Sequence, residues 1–133
     1  MSKDWVKDIH DMHTKFGVRE AVEKMDKDQL LEFLAFRLRF LEEELNETRR
    51  ASGVQQRDNE EIVDGLIDLC VVAIGTLDAF DVDSYKAWDE VLKANMAKEV
   101  GVKATRPNPL GLPDLIKPEG WVGPDHTGNT GKF

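Results

Sequence analysis

Apolar side chains recur every three or four residues along four stretches of this chain, each bounded by residues that start or stop a helix. Trp5, Ile9, Met12 and Phe16 share one face of a short first helix expected from about Asp4 to Phe16, with Gly17 as its stop. Leu30, Leu34, Leu38, Leu41 and Leu45 make a bundle-type stripe on a second helix, which begins at an N-cap, Asp26 or Asp28, and runs to about Ala51 before Ser52-Gly53. A third is expected from Asp58 or Asn59 to Ala79 or Phe80. Between Leu66 and Leu77 it is apolar nearly all round apart from Asp68, Gly75 and Thr76, the pattern of a helix covered on several sides. A fourth, capped by Asp83 or Ser84, carries Trp88, Val91, Leu92 and Met96 and ends near Val100-Gly101. So few long helices around so apolar a third predict an all-α bundle of about four helices completed by oligomerisation, as a homodimer or homotetramer.

Composition changes at residue 101. All five prolines and six of the ten glycines lie in residues 101–133, which predicts a Gly/Pro-rich extended C-terminal arm of the same domain as the bundle of residues 1–100. Its basic residues are Lys103, Arg106, Lys117 and Lys132. At 133 residues the chain is one domain's worth, and its net charge of -8 repels polyanions, so a nucleic acid polymer is a poor partner while a small phosphate ester arriving with Mg²⁺ is acceptable. The single Cys70, inside an apolar run, reads as a small core residue in a reducing compartment. The start lacks the apolar segment of a signal peptide, and the longest uncharged run falls short of the roughly 20 residues of a membrane span, so a cytoplasmic protein away from the membrane is expected.

Two acidic rows change the picture from bundle to site. Glu44 and Glu47 stand one turn apart on the second helix, and Glu61, Asp64 and Asp68 do so on the third. Glu44 shares its angular position with Phe33, Arg37 and Phe40, while Asp64 and Asp68 run into Val71, Val72 and Gly75. Attraction of acids to a helix N-terminus accounts for Asp58, Glu60 and Glu61, weakens at Asp64 and fails at Asp68, about three turns in. The Glu42-Glu43-Glu44 run includes plain surface acids, and Glu43/Asn46 is a rival register. Acids facing an apolar seam repel and lose hydration, which a divalent cation or a fixed basic group between them relieves. An all-oxygen donor set suits Mg²⁺ or Mn²⁺; a di-iron site would need Glu-x-x-His, which the chain lacks. His10 and His13 as a zinc pair are a weaker reading than packed or surface histidines. Gly128-Asn129-Thr130-Gly131-Lys132 has neither the spacing nor the following helix of a phosphate loop. Asn95 and Lys98, one turn apart, offer an amide and a cation to a phosphate ester, against the plainer reading of a solvated last turn.

These segments together resemble the all-α nucleoside triphosphate pyrophosphatases, the MazG-like and phosphoribosyl-ATP pyrophosphohydrolase-like group. The resemblance rests on Arg39 through Glu47, on Glu61 through Leu69 running into Ala73-Ile74-Gly75-Thr76, and on Asn95-Met96-Ala97-Lys98, with weaker echoes at His13-Thr14-Lys15-Phe16-Gly17 and Lys117-Pro118-Glu119-Gly120-Trp121. It implies hydrolysis of a nucleotide to the monophosphate and pyrophosphate, with Mg²⁺ held by Glu44, Glu47, Glu61 and Asp64, which are also the catalytic acids. It implies contacts from Asn95 and Lys98 to sugar and phosphates, joined by Arg39 and His13 as substrate-binding candidates, with Asp68 and Glu43 as additional or supporting acids. Phosphoribosyl-ATP as substrate is one alternative. A non-enzymatic helical dimerisation module is another, which explains the apolar third helix but not the inward acids. Phe33, Phe36, Phe40, Trp5 and His13 are stacking candidates for a base, though aromatic residues at helical spacing are more often core.

Overall fold

Aspartate side chains begin three of the helices. Asp4 accepts from the Lys7 amide ahead of α1 (Trp5–Lys15), Asp26 from the Gln29 amide ahead of α3 (Lys27–Ala51), and Asp58 from the Glu61 amide ahead of α4 (Asn59–Ala79). Each satisfies a donor that a helix start leaves without an intrahelical partner. At Asp26 the Gln29 side chain returns to accept from the Asp26 amide at 2.9 Å, closing a capping box. Gly17 takes a φ of 74°, and instead of ending helical structure it turns the chain into a short extra helix, α2 (Val18–Glu23). With six residues, α2 is too short to register as a period in the sequence.

The computed structural model describes residues 1–106 and 108–133; Pro107, one of the prolines of the expected arm, lies outside the described residues. The chain divides into two compact units, residues 1–84 with 130–133, and residues 85–129. Among the described residues, five helices and two three-residue strands make the protein all-α.

In the first unit α3 and α4 pack side by side and run in opposite directions, as their contacts show: Thr48 meets Gly65, Arg37 meets Val72 and Thr76, and Phe33 meets Phe80. Two glycines set how closely α4 is approached. A Cβ on Gly65 would lie 2.1 Å from Thr48 Oγ1, and one on Gly75 would lie 2.7 Å from the Arg37 guanidinium and 3.0 Å from the His13 ring. The core is Val22, Ala79 and Phe80, with Leu30, Phe33 and Leu34 against it. Residues 130–133 belong here too: the Lys132 amide donates to the Phe80 carbonyl at 2.8 Å, and the Phe133 ring stacks on Phe80 at 4.4 Å.

Two expectations need correction in this unit. The leucine stripe is the covered line of α3 only at its start, because Leu30 and Leu34 pack against the core but Leu38 and Leu45 are exposed while Arg37 and Thr48 are buried. A repeat of 3.6 residues carries the covered face away from the leucines and onto Arg37, Glu44 and Thr48. Cys70 is exposed, not core. It lies on the apolar side of α4 opposite Gly65 and Val72, where Val63, Leu66 and Ile67 are exposed as well.

The second unit holds nearly all of α5 (Ser84–Met96), which ends before the expected Val100-Gly101. Those residues form instead a short strand, β1 (Glu99–Gly101), paired antiparallel with β2 (Asp114–Ile116) in the register Glu99 to Ile116 and Gly101 to Asp114. Gly101 is where the Ile116 side chain crosses, 2.7 Å from where a Cβ would be, so the arm is partly ordered by a β-ladder. The covered side of α5 is Ala87, Glu90 and Ala94, while its larger apolar residues Trp88, Leu92 and Met96 are exposed.

Candidate functional site

The close approach of Thr48 to Gly65 brings the two acidic rows level with each other. Glu47 and Asp64 each precede one of these contact residues, and Glu44 lies one turn before Thr48, whose hydroxyl donates to the Glu44 carbonyl at 2.8 Å. Glu44 is half-buried on the covered face of α3. Burial pushes its carboxyl above the usual range, and the charges of Asp68, Glu47, Asp64 and Glu43 push it further the same way. Charges from both helices therefore act on Glu44. Glu47, Asp64 and Glu43 are exposed, and Asp68 is half-buried. Glu61 sits in the first turn of α4, exposed, with its amide on the Asp58 cap at 3.1 Å.

Among the described residues, no three His, Cys, Asp or Glu side chains stand in an arrangement that could hold a metal ion. Like charges that repel turn toward water, so exposed carboxylates do not converge on their own. The donor chemistry nevertheless fits a hard divalent cation. The acids of the two rows offer only carboxylate oxygens, and Glu44 among them is partly desolvated and pushed toward its protonated form.

His13 and Asp78 form a second polar centre in the same unit. Asp78 is buried near the end of α4, where the helix dipole disfavours an acid and the last turn has no basic residue. Its compensation comes from the first two helices: His10 Nδ1 at 2.8 Å, His13 Nδ1 at 3.0 Å and Arg19 Nη1 at 3.1 Å. Burial works to raise the Asp78 carboxyl, but the His10 hydrogen bond and the Arg19 charge outweigh it and hold it below the usual range. Burial also lowers the His13 imidazole, against the pull of Asp78. Both histidines thus share a carboxylate, and the ring of His13 lies against Gly75. Beside it is Arg37, buried, donating from Nε to Thr76 Oγ1 and from Nη2 to the Val72 carbonyl, both at 2.9 Å. Neither Asp78 nor the burial of Arg37 was anticipated from sequence. The available signal for Asp78 was an acid in the last turn of an apolar helix with His10, His13 and Arg19 upstream.

Arg39 lines an open groove of about 490 Å³ on α3 with Gln29, Glu32, Phe33 and Phe36. Phe36 is half-exposed there, with its ring 6.4 Å from that of Phe33. In the other unit Asn95 is exposed on α5, and Lys98 places its ammonium 5.5 Å from the centre of the Trp121 ring. Trp5 is half-exposed, and no helix is long and apolar enough to cross a membrane among the described residues.

No curated protein and no solved structure matches the chain. The family model described as phosphoribosyl-ATP pyrophosphohydrolase matches residues 10–95, a span that includes both acidic rows, the His13–Asp78 centre and Asn95. That span is more than half of the chain, and the protein belongs to the phosphoribosyl-ATP pyrophosphohydrolase family of hydrolases acting on phosphoric anhydrides, within the MazG-like all-α NTP pyrophosphatase superfamily.

Proposed function

We propose that the protein is a Mg²⁺-dependent nucleoside triphosphate pyrophosphohydrolase, converting an NTP or dNTP to the monophosphate and pyrophosphate. The observation that carries this reading is the Thr48–Gly65 approach of α3 and α4, which brings Glu44 and Glu47 level with Asp64 and lets their like charges act on Glu44. Glu44, half-buried among neighbouring acids, is an electrostatic cost without a counter-ion, and a cation that arrives with a triphosphate supplies one. Glu44, Glu47, Glu61 and Asp64 are the proposed ligands, with Mn²⁺ as a substitute for Mg²⁺. When bound, such a cation neutralises phosphate charge and favours in-line attack by water. The chain's own part is to hold the carboxylates at the Thr48–Gly65 approach and to orient the attacking water through an acid, with Glu47 or Asp68 as the base and Glu43 in support. Asn95, Lys98 and Arg39 are the proposed contacts to the nucleotide. His13, buried on Asp78, is proposed to act on substrate only through the helix it positions.

The description of the matching family favours a second substrate, phosphoribosyl-ATP, whose cleavage also releases pyrophosphate. Pyrophosphate release measured against canonical, deoxy and modified triphosphates and phosphoribosyl-ATP, with and without Mg²⁺, separates the two. Turnover of triphosphates that needs Mg²⁺ is the expected outcome; turnover of phosphoribosyl-ATP alone would overturn the first reading in favour of the second. A homodimer or homotetramer in a cytoplasmic setting is part of the same proposal. Its support is the exposed apolar side of α4, where Val63, Leu66 and Ile67 are 63 %, 53 % and 44 % exposed.

A further inference from the structure

Two cations near the arm are held on one aromatic ring. Trp121 is fixed at its edge by the hydrogen bond that its Nε1–H donates to the Ala94 carbonyl at 2.7 Å. Against the ring stand the ammonium groups of Lys117, 4.8 Å from its centre, and Lys98, 5.5 Å from it. The ring attracts each ammonium, but the ammonium groups repel one another, and they can be no farther apart than those two distances laid end to end.

Their charge is not spent elsewhere. Arg106 is paired with Asp114, and Lys132 with Asp81, whereas neither Lys98 nor Lys117 has an ion-pair partner among the described residues. The setting also tolerates an anion. Residues 85–129 contain six basic and six acidic side chains, so the whole net charge of -8 belongs to the other unit. A cavity of about 590 Å³ adjoins Trp121, walled in part by Lys93, Ala97 and Pro118. Of the acids on its wall, Glu90 accepts from the Asp125 amide at 3.1 Å and Asp125 from the Thr127 amide at 2.9 Å; Glu119, exposed, is the remaining one.

We propose that Lys98 and Lys117, paired on Trp121, form an oligophosphate-binding clamp. Two or three linked phosphates place separate anionic groups at the two ammonium groups and cancel their repulsion, which a single small anion does less well. Lysine suits this as a point charge, and the indole holds both ammonium groups before the ligand arrives, which reduces the ordering cost of binding. The choice of a phosphate chain as ligand rests on the nucleotide reading above.

Calorimetric titration of the full chain with inorganic tripolyphosphate in Mg²⁺-free buffer tests the clamp without requiring turnover, with sulfate as the single-anion comparison. Lys117→Met keeps an unbranched side chain beside the indole and removes the charge, and should bind tripolyphosphate about 10- to 100-fold more weakly, as expected for a lost charge-assisted contact. Lys117→Arg should retain binding, and Trp121→Leu should weaken it although the charges remain. Circular dichroism checks folding, and Lys117→Met decides the matter if Trp121→Leu does not fold. A parent that fails to bind tripolyphosphate, or binds it no better than sulfate, overturns the proposal, as does a Lys117→Met variant with parental affinity. Tripolyphosphate binding through this pair in a protein that hydrolyses no nucleotide would keep the clamp and overturn the hydrolase reading alone.

Discussion

Glu44 should give the metal-free protein a measurable pH signature. Its folded-state carboxyl is raised by burial and by the acids around it, while in the unfolded chain it titrates at its ordinary value. Over the interval between the two values the native state keeps a proton that the unfolded state has lost. The stability this contributes is full below the ordinary value and is lost as pH rises through the raised one. Without divalent cations, Glu44→Gln should therefore flatten the fall in stability above about pH 4 and be more stable than the parent at neutral pH. Its Mg²⁺-dependent turnover should drop about 10²- to 10³-fold. Urea titrations at several pH values read the first effect; a variant with the parent's slope and turnover would place the site elsewhere. The Asp78 centre has the opposite sign, since both its lowered carboxyl and the lowered His13 imidazole favour the fold above their folded-state values and lose that contribution on acidification. Asp78→Asn should cost on the order of 3 kcal/mol, because it leaves Arg19 and two histidines around a neutral amide. A loss below about 1 kcal/mol would mean that water already compensates them. The two centres differ in how far sequence reached them. Asp64 and Asp68 stood out because helical period put acids in line with Val71 and Val72, whereas Asp78 became meaningful only once folding brought residues more than sixty positions away onto it.

At the scale of the helix pair, Gly65 and Thr48 decide how near the acidic rows come. A methyl group at Gly65 meets Thr48 Oγ1 at 2.1 Å, so Gly65→Ala must push the helices apart or turn Thr48 away from the Glu44 carbonyl. The expected loss is about 1–3 kcal/mol, the range for an overpacked interface. Thr48→Ala removes the clashing oxygen, so the double variant should be less destabilised than the two single losses added together. Strict additivity in denaturant titrations would show that the two residues do not share this contact. Helix starts were legible because Asp4, Asp26 and Asp58 cap by local chemistry, which needs no partner helix. The covered face of α3 was less so. Leucine spacing pointed to one line, and the close contacts with α4 chose another containing a charged Arg37 and a hydroxyl, which no hydrophobic period reports. α5 stopped short for a related reason: the pairing of Glu99–Gly101 with Asp114–Ile116 is a contact between distant segments, invisible in a local pattern.

For the molecule as a whole, the exposed side of α4 and the distribution of charge make opposed contributions to self-association. Val63, Leu66 and Ile67 present apolar surface beside Cys70, and covering one such side chain contributes about 1.5–3 kcal/mol. Against this, residues 1–84 with 130–133 carry the entire net charge of -8, so two copies brought together through this unit repel. If the apolar term dominates, as the proposed dimer or tetramer requires, sedimentation should show an oligomer at micromolar concentration, and added salt should tighten it by screening the repulsion. Leu66→Glu combined with Ile67→Glu removes apolar area and adds like charge on both copies. It should weaken association by about 100-fold or more while leaving helix content unchanged, since both side chains are exposed. A parent that sediments as a monomer at tens of micromolar, with or without salt, would show that the exposed side of α4 does not join copies of this chain.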